Sequence, residues 1–231
     1  MKRNVVIEIN FNNYGMNPDR LTRKWLEERI GIFQSLTLRS LKKQSNQNFL
    51  AVVKLAGGCS EIVEEILGQY EPLPANVQFG TSIDSKRRME AYVQGAQELY
   101  VARIDSDDLY HESFVQQLHG YKPKPGTVAL VNTHGYTWDK VNGLMERSYH
   151  PCLSFYTFVY AVPDFLSGYR VQIPNGGGHK NVILLPHEVL PGRNYVNVIH
   201  NSNVSVKRLG KKDLLSSEEM KQVLSQFMTP Q

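Results

Sequence analysis

Three carboxylates, Asp105, Asp107 and Asp108, close the apolar run Leu99-Tyr-Val-Ala-Arg-Ile near the middle of the chain. In an extended chain side chains alternate, so Asp105 and Asp107 are expected on the same side. Two hard oxygen donors so placed can hold a divalent cation and leave positions open for phosphate oxygens. The C-terminal end of a sheet strand is also where open α/β folds bind ligands. The triplet therefore points to a metal–diphosphate site. The competing reading is a solvated acidic turn that caps the next helix, and Asp108 suits that role best.

The elements that must position this triplet follow from periodicity and turn residues. Val5 to Ile9 reads as a first strand, Phe49 to Leu55 as a second, Val77 to Gly80 as a third and Leu99 to Ile104 as the strand that delivers the aspartates. Asn17-Pro18-Asp19 signals a helix start, and apolar residues recur at helical spacing from Leu21 to Leu41, with Gly31 as an expected break. Ser60 and Asp84 are expected to cap the helices that begin beside them. A helix over 111–119 and a strand from Val128 to Asn132 complete a strand–helix alternation, the pattern of a mostly parallel sheet with helices on its faces.

After residue 132 the character changes. Gly135 to Trp138 and Leu144 to Tyr149 flank a turn and predict a hairpin, followed by strands from Leu153 to Val162 and from Tyr195 to Ile199. Ile173 to His179 is rich in glycine, and Pro174 to Glu188 is expected to be a mobile loop, a gate over the site. Residues 216–228 predict a terminal helix. The expectation is a single α/β domain, residues 1–231, with a nucleotide-binding half (1–132) and a smaller, irregular, acceptor-facing half (133–231).

Composition narrows the class. Hydrophobic residues make up 41% of the 231, enough for a core, and the net charge of +4 suits an anionic small molecule. No Lys/Arg block is dense enough for nucleic acid. The cluster Lys207, Arg208, Lys211, Lys212 reads as a solvated terminus or a weak membrane-surface patch. Two cysteines, Cys59 and Cys152, make neither a disulfide framework nor a zinc pattern. With no signal peptide or membrane span apparent, a cytoplasmic location is expected.

These segments together resemble a GT-A-type glycosyltransferase, and more narrowly the rhamnosyltransferase group of bacteria. The resemblance covers residues 4–206. It rests on Glu8-Ile-Asn-Phe-Asn, Trp25 to Phe33, Leu38 to Ser45, Asn48 to Val53, Arg103-Ile-Asp-Ser-Asp-Asp and Val198-Ile-His-Asn-Ser-Asn. It implies a nucleotide-diphosphate sugar donor, a glycan or other hydroxyl acceptor in bacterial surface glycan synthesis, and Mn2+ or Mg2+ as cofactor. Asp105, Asp107 and His200 become the implied metal ligands. Asn10, Asp84, Arg88 and Asp105 become the implied donor contacts, with Arg87 the less favoured of the two neighbouring arginines. Arg103 is expected to face the same side as Asp105 and to pair with it.

Two features depart from that group. The second strand ends Lys54-Leu-Ala-Gly-Gly instead of in an acidic base-binding turn, and the Glu-Asp pair that supplies a catalytic base in many inverting relatives is absent. Glu188 and His179 are the leading candidates for the base, with His187 beside the first and Asp164 behind both. Two rival readings remain. One is a non-catalytic module of the same fold that binds a nucleotide sugar or glycan. The other is a haloacid-dehalogenase-type phosphotransferase, but its Asp-x-Asp normally follows the first strand.

Overall fold

The computed structural model describes residues 2–15, 17–203, 208–210 and 212–229. Met16, Lys207 and Lys211 lie outside them, so part of the basic cluster is not described. In chain order the elements are β1 (Arg3–Asn10), a 3-10 turn (Pro18–Leu21), α1 (Arg23–Ser35), α2 (Thr37–Lys42), β2 (Leu50–Leu55), α3 (Ser60–Leu67), β3 (Val77–Thr81), α4 (Ser82–Tyr92), β4 (Glu98–Asp105), β5 (Leu109–Tyr110), α5 (Phe114–Gly120), β6 (Ala129–Val131), β7 (His134–Asp139), β8 (Leu144–Tyr149), β9 (Tyr156–Ala161), α6 (Val162–Leu166), a 3-10 helix (His179–Leu184), β10 (His187–Val189), β11 (Tyr195–Ile199) and α7 (Ser217–Phe227).

A seven-stranded sheet in the order β10-β6-β9-β4-β1-β2-β3 forms the centre. It is parallel except for β9, which runs antiparallel to β4 and β6. A second sheet of four strands, β5-β11-β7-β8, stands beside it. Alternation along each strand divides the central sheet's core in two. Val5, Ile7, Ile9, Tyr100, Ala102 and Ile104 pack under α1, α2, α3 and α5. Val6, Leu50, Val52, Leu99 and Val101 pack under α4 and α6. Residues from the expected acceptor half thus complete the nucleotide-side sheet, because β9 and β10 return to it.

Local expectations fail where tertiary contacts outweigh propensity. The first helical segment breaks at Leu36 (φ −121, ψ −86), not at Gly31. Leu36 leaves helical geometry to bury its side chain with Leu109, Val198 and Phe227. Gly31 stays inside α1. Thr81, not Asp84, is the N-cap of α4. Its side chain accepts from the Asp84 N–H while Asp84 reaches back to the Thr81 N–H, a reciprocal capping box. Cys59 stands at the N-cap position of α3 and Ser60 is already helical. The helix expected from residue 111 starts at Phe114, since the His111 and Glu112 N–H groups donate to Asn194 and Gln226 carbonyls instead.

The expected Pro174–Glu188 loop is largely ordered as a 3-10 helix and a strand, with Val182 fully buried. Only Asn175 and Gly176 to Gly178 form a run of positive φ there.

Close packing makes Gly135 on β7 indispensable. A Cβ there would meet the Tyr195 ring at 2.5–2.6 Å, and that ring is stacked on Phe155 at 4.0 Å. Gly135→Ala is therefore expected to destabilise the fold by about 1–3 kcal/mol through overpacking. Urea unfolding would show a lowered midpoint, whereas Gly143→Ala, at an open turn, would lower it only through its positive φ.

Candidate active site

The site forms at the C-terminal ends of β1, β2, β3 and β4. β4 stops at Asp105, so strand alternation does not carry on to Asp107. The chain turns there, with the Asp108 N–H donating to the Asp105 carbonyl at 3.2 Å. The turn sends the two carboxylates to different surroundings. Asp105 pairs with Arg103 at 2.9 Å, while Asp107 is buried against α1 and the end of β11.

Asp107 Oδ2 accepts from His200 Nε2 at 2.9 Å, from Arg29 Nη2 and Nη1 at 3.3 and 3.4 Å, and from Asn203 Nδ2 at 3.3 Å. His200 Nδ1 accepts from the Ser202 N–H at 3.2 Å, which leaves Nε2 as the nitrogen that carries hydrogen toward Asp107. Arg29 also donates to Ser106 Oγ at 2.9 Å and lies 5.8 Å from the Trp25 ring. Sequence reasoning missed Arg29. Its signal was a cation on the apolar face of α1, in step with Leu26, Ile30 and Phe33.

Asp108 does not cap a helix. It is fully buried, and its Oδ1 accepts from the Val198 N–H at 2.8 Å, which fastens the turn to β11. Thr37 Oγ1 donates to the Asp108 carbonyl at 2.9 Å and fastens it to α2.

On the face beneath α4 the strands end in polar side chains. Ladder registers align Tyr156, Arg103 and Glu8 in one row, and Asp105, Asn10, Lys54 and Gly80 in the next. Lys54 Nζ lies 2.6 Å from Glu8 Oε1. With its amide oxygen turned inward, Asn10 accepts from Arg103 Nε and Nη2 at 3.2 Å. Arg88 crosses the end of β3 and donates to the Phe79 carbonyl, over Gly80, where a Cβ would clash with its guanidinium at 2.7 Å. Arg87 is exposed and pairs with Asp84 at 2.8 Å.

The base candidates part company. His179 joins this cluster, its Nδ1 3.4 Å from the Tyr156 hydroxyl. Although the residue as a whole is exposed, its ring packs on Tyr156. Burial, then the nearby Arg103 charge, lowers its pKa from the ordinary 6.5 to about 4. Glu188 sits on the edge strand β10 and is engaged elsewhere. It accepts from Thr127 Oγ1 at 2.5 Å, the Lys124 N–H at 2.7 Å and the Tyr121 hydroxyl at 3.1 Å. Its register runs through Leu130 and Thr157 to Ala102, three strand spacings or roughly 14 Å from β4. The neighbouring His187 is exposed on the same edge. Asp164 opens α6 beyond Ala161, which pairs with Glu98 at the start of β4, so it lies at the wrong end of the sheet. Asp84 is likewise committed, to the capping box and Arg87. Hydrogen bonds from Thr81 lead in holding its carboxyl below the usual range.

Among the described residues, no group of three His, Cys, Asp or Glu side chains gathers as a metal cage. Asp107 and His200 do meet, from positions 93 residues apart, as an oxygen and a nitrogen donor at the strand end. Such a pair would offer a divalent cation two donors and leave its other positions to phosphate and water, with the Arg29 guanidinium remaining on the same Asp107 oxygen. A cation would replace the Nε2 hydrogen. Asp105 stands apart from the pair, on Arg103.

A family model described as "Putative rhamnosyl transferase" matches residues 19–212. No curated protein matches the sequence. Among solved structures the chain is similar to Staphylococcus aureus TarS 1-349 in complex with UDP-GlcNAc, at 15% identity and TM-score 0.47, over 90% of this chain and 62% of that one. It is also similar to a cytidylyltransferase from Leptospira borgpetersenii, at 13% identity and TM-score 0.41, over 84% and 77% of the two chains. A third is 4-diphosphocytidyl-2C-methyl-D-erythritol synthase from Anaerococcus prevotii, at 10% identity and TM-score 0.38, over 96% and 95%. The chain thus spans less than two thirds of the TarS fragment.

His179 makes stability depend on pH. Its pKa is lower folded than unfolded, so the unfolded chain binds more protons between about 4 and 6.5. This contribution is complete above 6.5 and is lost as the pH falls toward 4. Urea midpoints at pH 4.5 and 7 should differ less in His179→Phe than in the parent; an equal difference would remove the assigned burial.

Proposed function

The chain belongs to the family described as "Putative rhamnosyl transferase", and on that premise we propose that it is a glycosyltransferase. It would move a sugar from a nucleotide-diphosphate donor to an acceptor hydroxyl, rhamnose being the sugar that the family's description names. The observation that carries this reading is the buried Asp107–His200 pair at the end of β4, with Arg29 behind it and the polar strand ends beside it. The seven-stranded sheet and its strand order supply the GT-A-type scaffold.

Asp107 and His200 would hold a divalent cation, Mn2+ or Mg2+. When bound, it supplies neutralisation of the negative charge left on the diphosphate. Arg29 keeps the Asp107 carboxylate in place from behind. In this reading Arg88, lying across the end of β3, and Asn10, at the end of β1, would contact the donor. In the transfer the acceptor oxygen bonds to the anomeric carbon while the bond to the diphosphate oxygen breaks. The proton leaves the acceptor hydroxyl for His179 Nε2, since Nδ1 is directed at Tyr156. The neutral imidazole has a lone pair free for it, but the burial and the Arg103 charge that hold it neutral also make it a weak base, so its part is to take the proton only as the bond to the diphosphate breaks.

Calorimetry with UDP, dTDP and GDP tests the cation. Binding of the preferred nucleotide is expected to tighten at least about tenfold, or 1.4 kcal/mol, when Mn2+ is added. Asp107→Ala should abolish that gain and His200→Ala should reduce it. Equally tight binding in chelator rules the cation out.

Release of nucleoside diphosphate from nucleotide sugars tests the chemistry. His179→Ala is expected to slow release by about 100-fold or more with donor affinity unchanged, and Glu188→Gln to stay within about twofold. A parent protein that binds donors tightly yet releases nothing is a binding module instead.

A further inference from the structure

Arg29 is the one charged residue among the buried positions of α1, which are otherwise Leu26, Ile30 and Phe33. A buried carboxylate needs a positive partner, and Asp107 alone would account for a cation at this position. It does not account for an arginine. Lysine carries the same charge as a point on a flexible stem, whereas a guanidinium is a rigid planar fork.

The fork spans two turns whose facing residues, Asp107 and His200, are 93 positions apart in the chain. In the turn after β4, Nη2 donates to Ser106 Oγ at 2.9 Å and to Asp107 Oδ2 at 3.3 Å. Nη1 donates to the same Asp107 oxygen at 3.4 Å and, in the turn after β11, to the Ser202 carbonyl at 3.4 Å. Ser202 is held at its other polar atoms too. Its hydroxyl donates to Glu28, the neighbour of Arg29 in α1, and its N–H donates to His200 Nδ1 at 3.2 Å. Two consecutive residues of one helix thus grip the residue that orients the His200 ring, and one of them also grips Asp107. Three of the four guanidinium contacts are long, so each is weak by itself. Their joint effect is to fix one turn against the other.

We propose that Arg29 is a positioning residue for the transfer: its fork sets how Asp107 and His200 stand to each other, and so the hold of that pair on a cation. The assignment rests on the glycosyltransferase reading and on the cation it includes. Arg29 touches neither donor nor cation in it and acts through Asp107 and Ser202. Its positive charge, on an oxygen that the cation would share, works against cation binding. What Arg29 adds to the hold therefore comes from geometry. Arg29→Lys isolates that contribution, since it keeps the charge and removes the fork.

The test titrates Mn2+ into the full chain with saturating UDP, dTDP or GDP, whichever the parent prefers, and reads free Mn2+ by electron paramagnetic resonance. Arg29→Lys is expected to weaken Mn2+ binding about tenfold. Its nucleotide affinity in chelator is expected to stay, and its urea unfolding to remain a single cooperative transition. Ser106→Ala deletes the acceptor of the shortest contact, leaves Arg29 in place, and is expected to weaken Mn2+ binding about threefold. Parental Mn2+ affinity in a folded Arg29→Lys overturns the proposal, because charge alone then suffices. Where Arg29→Lys loses its cooperative transition, Ser106→Ala decides, and an unchanged Mn2+ affinity there overturns the proposal. An equal loss of nucleotide affinity in chelator also overturns it, since the substitution has then disturbed the site at large. A parent that binds nucleotide without taking up Mn2+ rejects the cation, and one that binds no nucleotide rejects the glycosyltransferase reading; the positioning role falls with either.

Discussion

Everything at the strand ends depends on one buried turn. A carboxylate taken out of water is costly unless charges and hydrogen bonds replace its hydration. Here two consecutive ones, Asp107 and Asp108, are buried side by side. Arg29 and His200 answer the first, and the Val198 N–H answers the second. Meeting these needs draws α1, α2, β4 and β11 to one point and joins the central sheet to the smaller one. Removing Arg29 would leave a buried carboxylate short of its only arginine partner among the described residues, so scaffold and site are strained by the same substitution.

That turn also divides the chemistry. Because β4 ends at Asp105, the next two residues leave the plane of the sheet. Asp105 stays with the polar rows on the α4 side, and Asp107 crosses to the α1 side. A strictly extended Asp-x-Asp would have put both carboxylates on one side and concentrated negative charge there. The turn instead leaves the Arg103–Asp105 pair on one side and a carboxylate–imidazole pair on the other.

Much of this was legible in the sequence. The β1–β4 strands, the β7–β8 hairpin and α7 declare themselves by periodicity and turn residues, because their patterns are long enough to be distinctive. Asp107 stood out as a carboxylate at the end of an apolar strand and His200 through a resemblance, and the two do meet. The misses have physical causes. β5 and β10 are two and three residues long, below what alternation can mark. Leu36 breaks a helix for a contact with residues more than 70 positions away. Glu188 looked available as a base because a sequence does not show that Thr127, Lys124 and Tyr121 surround it. Arg29 was hidden inside an apolar stripe, where a lone cation reads as an irregularity until its partner comes into view.

The position of β6 bears on how the chain reaches this state. Its neighbours in the sheet are β9 and β10, and both follow it in sequence. As the polypeptide emerges from a ribosome, the apolar Ala129-Leu130-Val131 segment has no strand to pair with until residues 156–161 arrive to wedge between it and β4. β1 and β4 are themselves far apart in the chain, 95 residues between Arg3 and Glu98, because the connection from β3 passes over β2 and β1 to reach the other side of the sheet. Pairings of long sequence separation are slow and leave strand edges open in the meantime. Until β9 is made, the free edge of β4 and the short β6 segment are both open to pairing with another chain, and the antiparallel strand that joins them closes both at once.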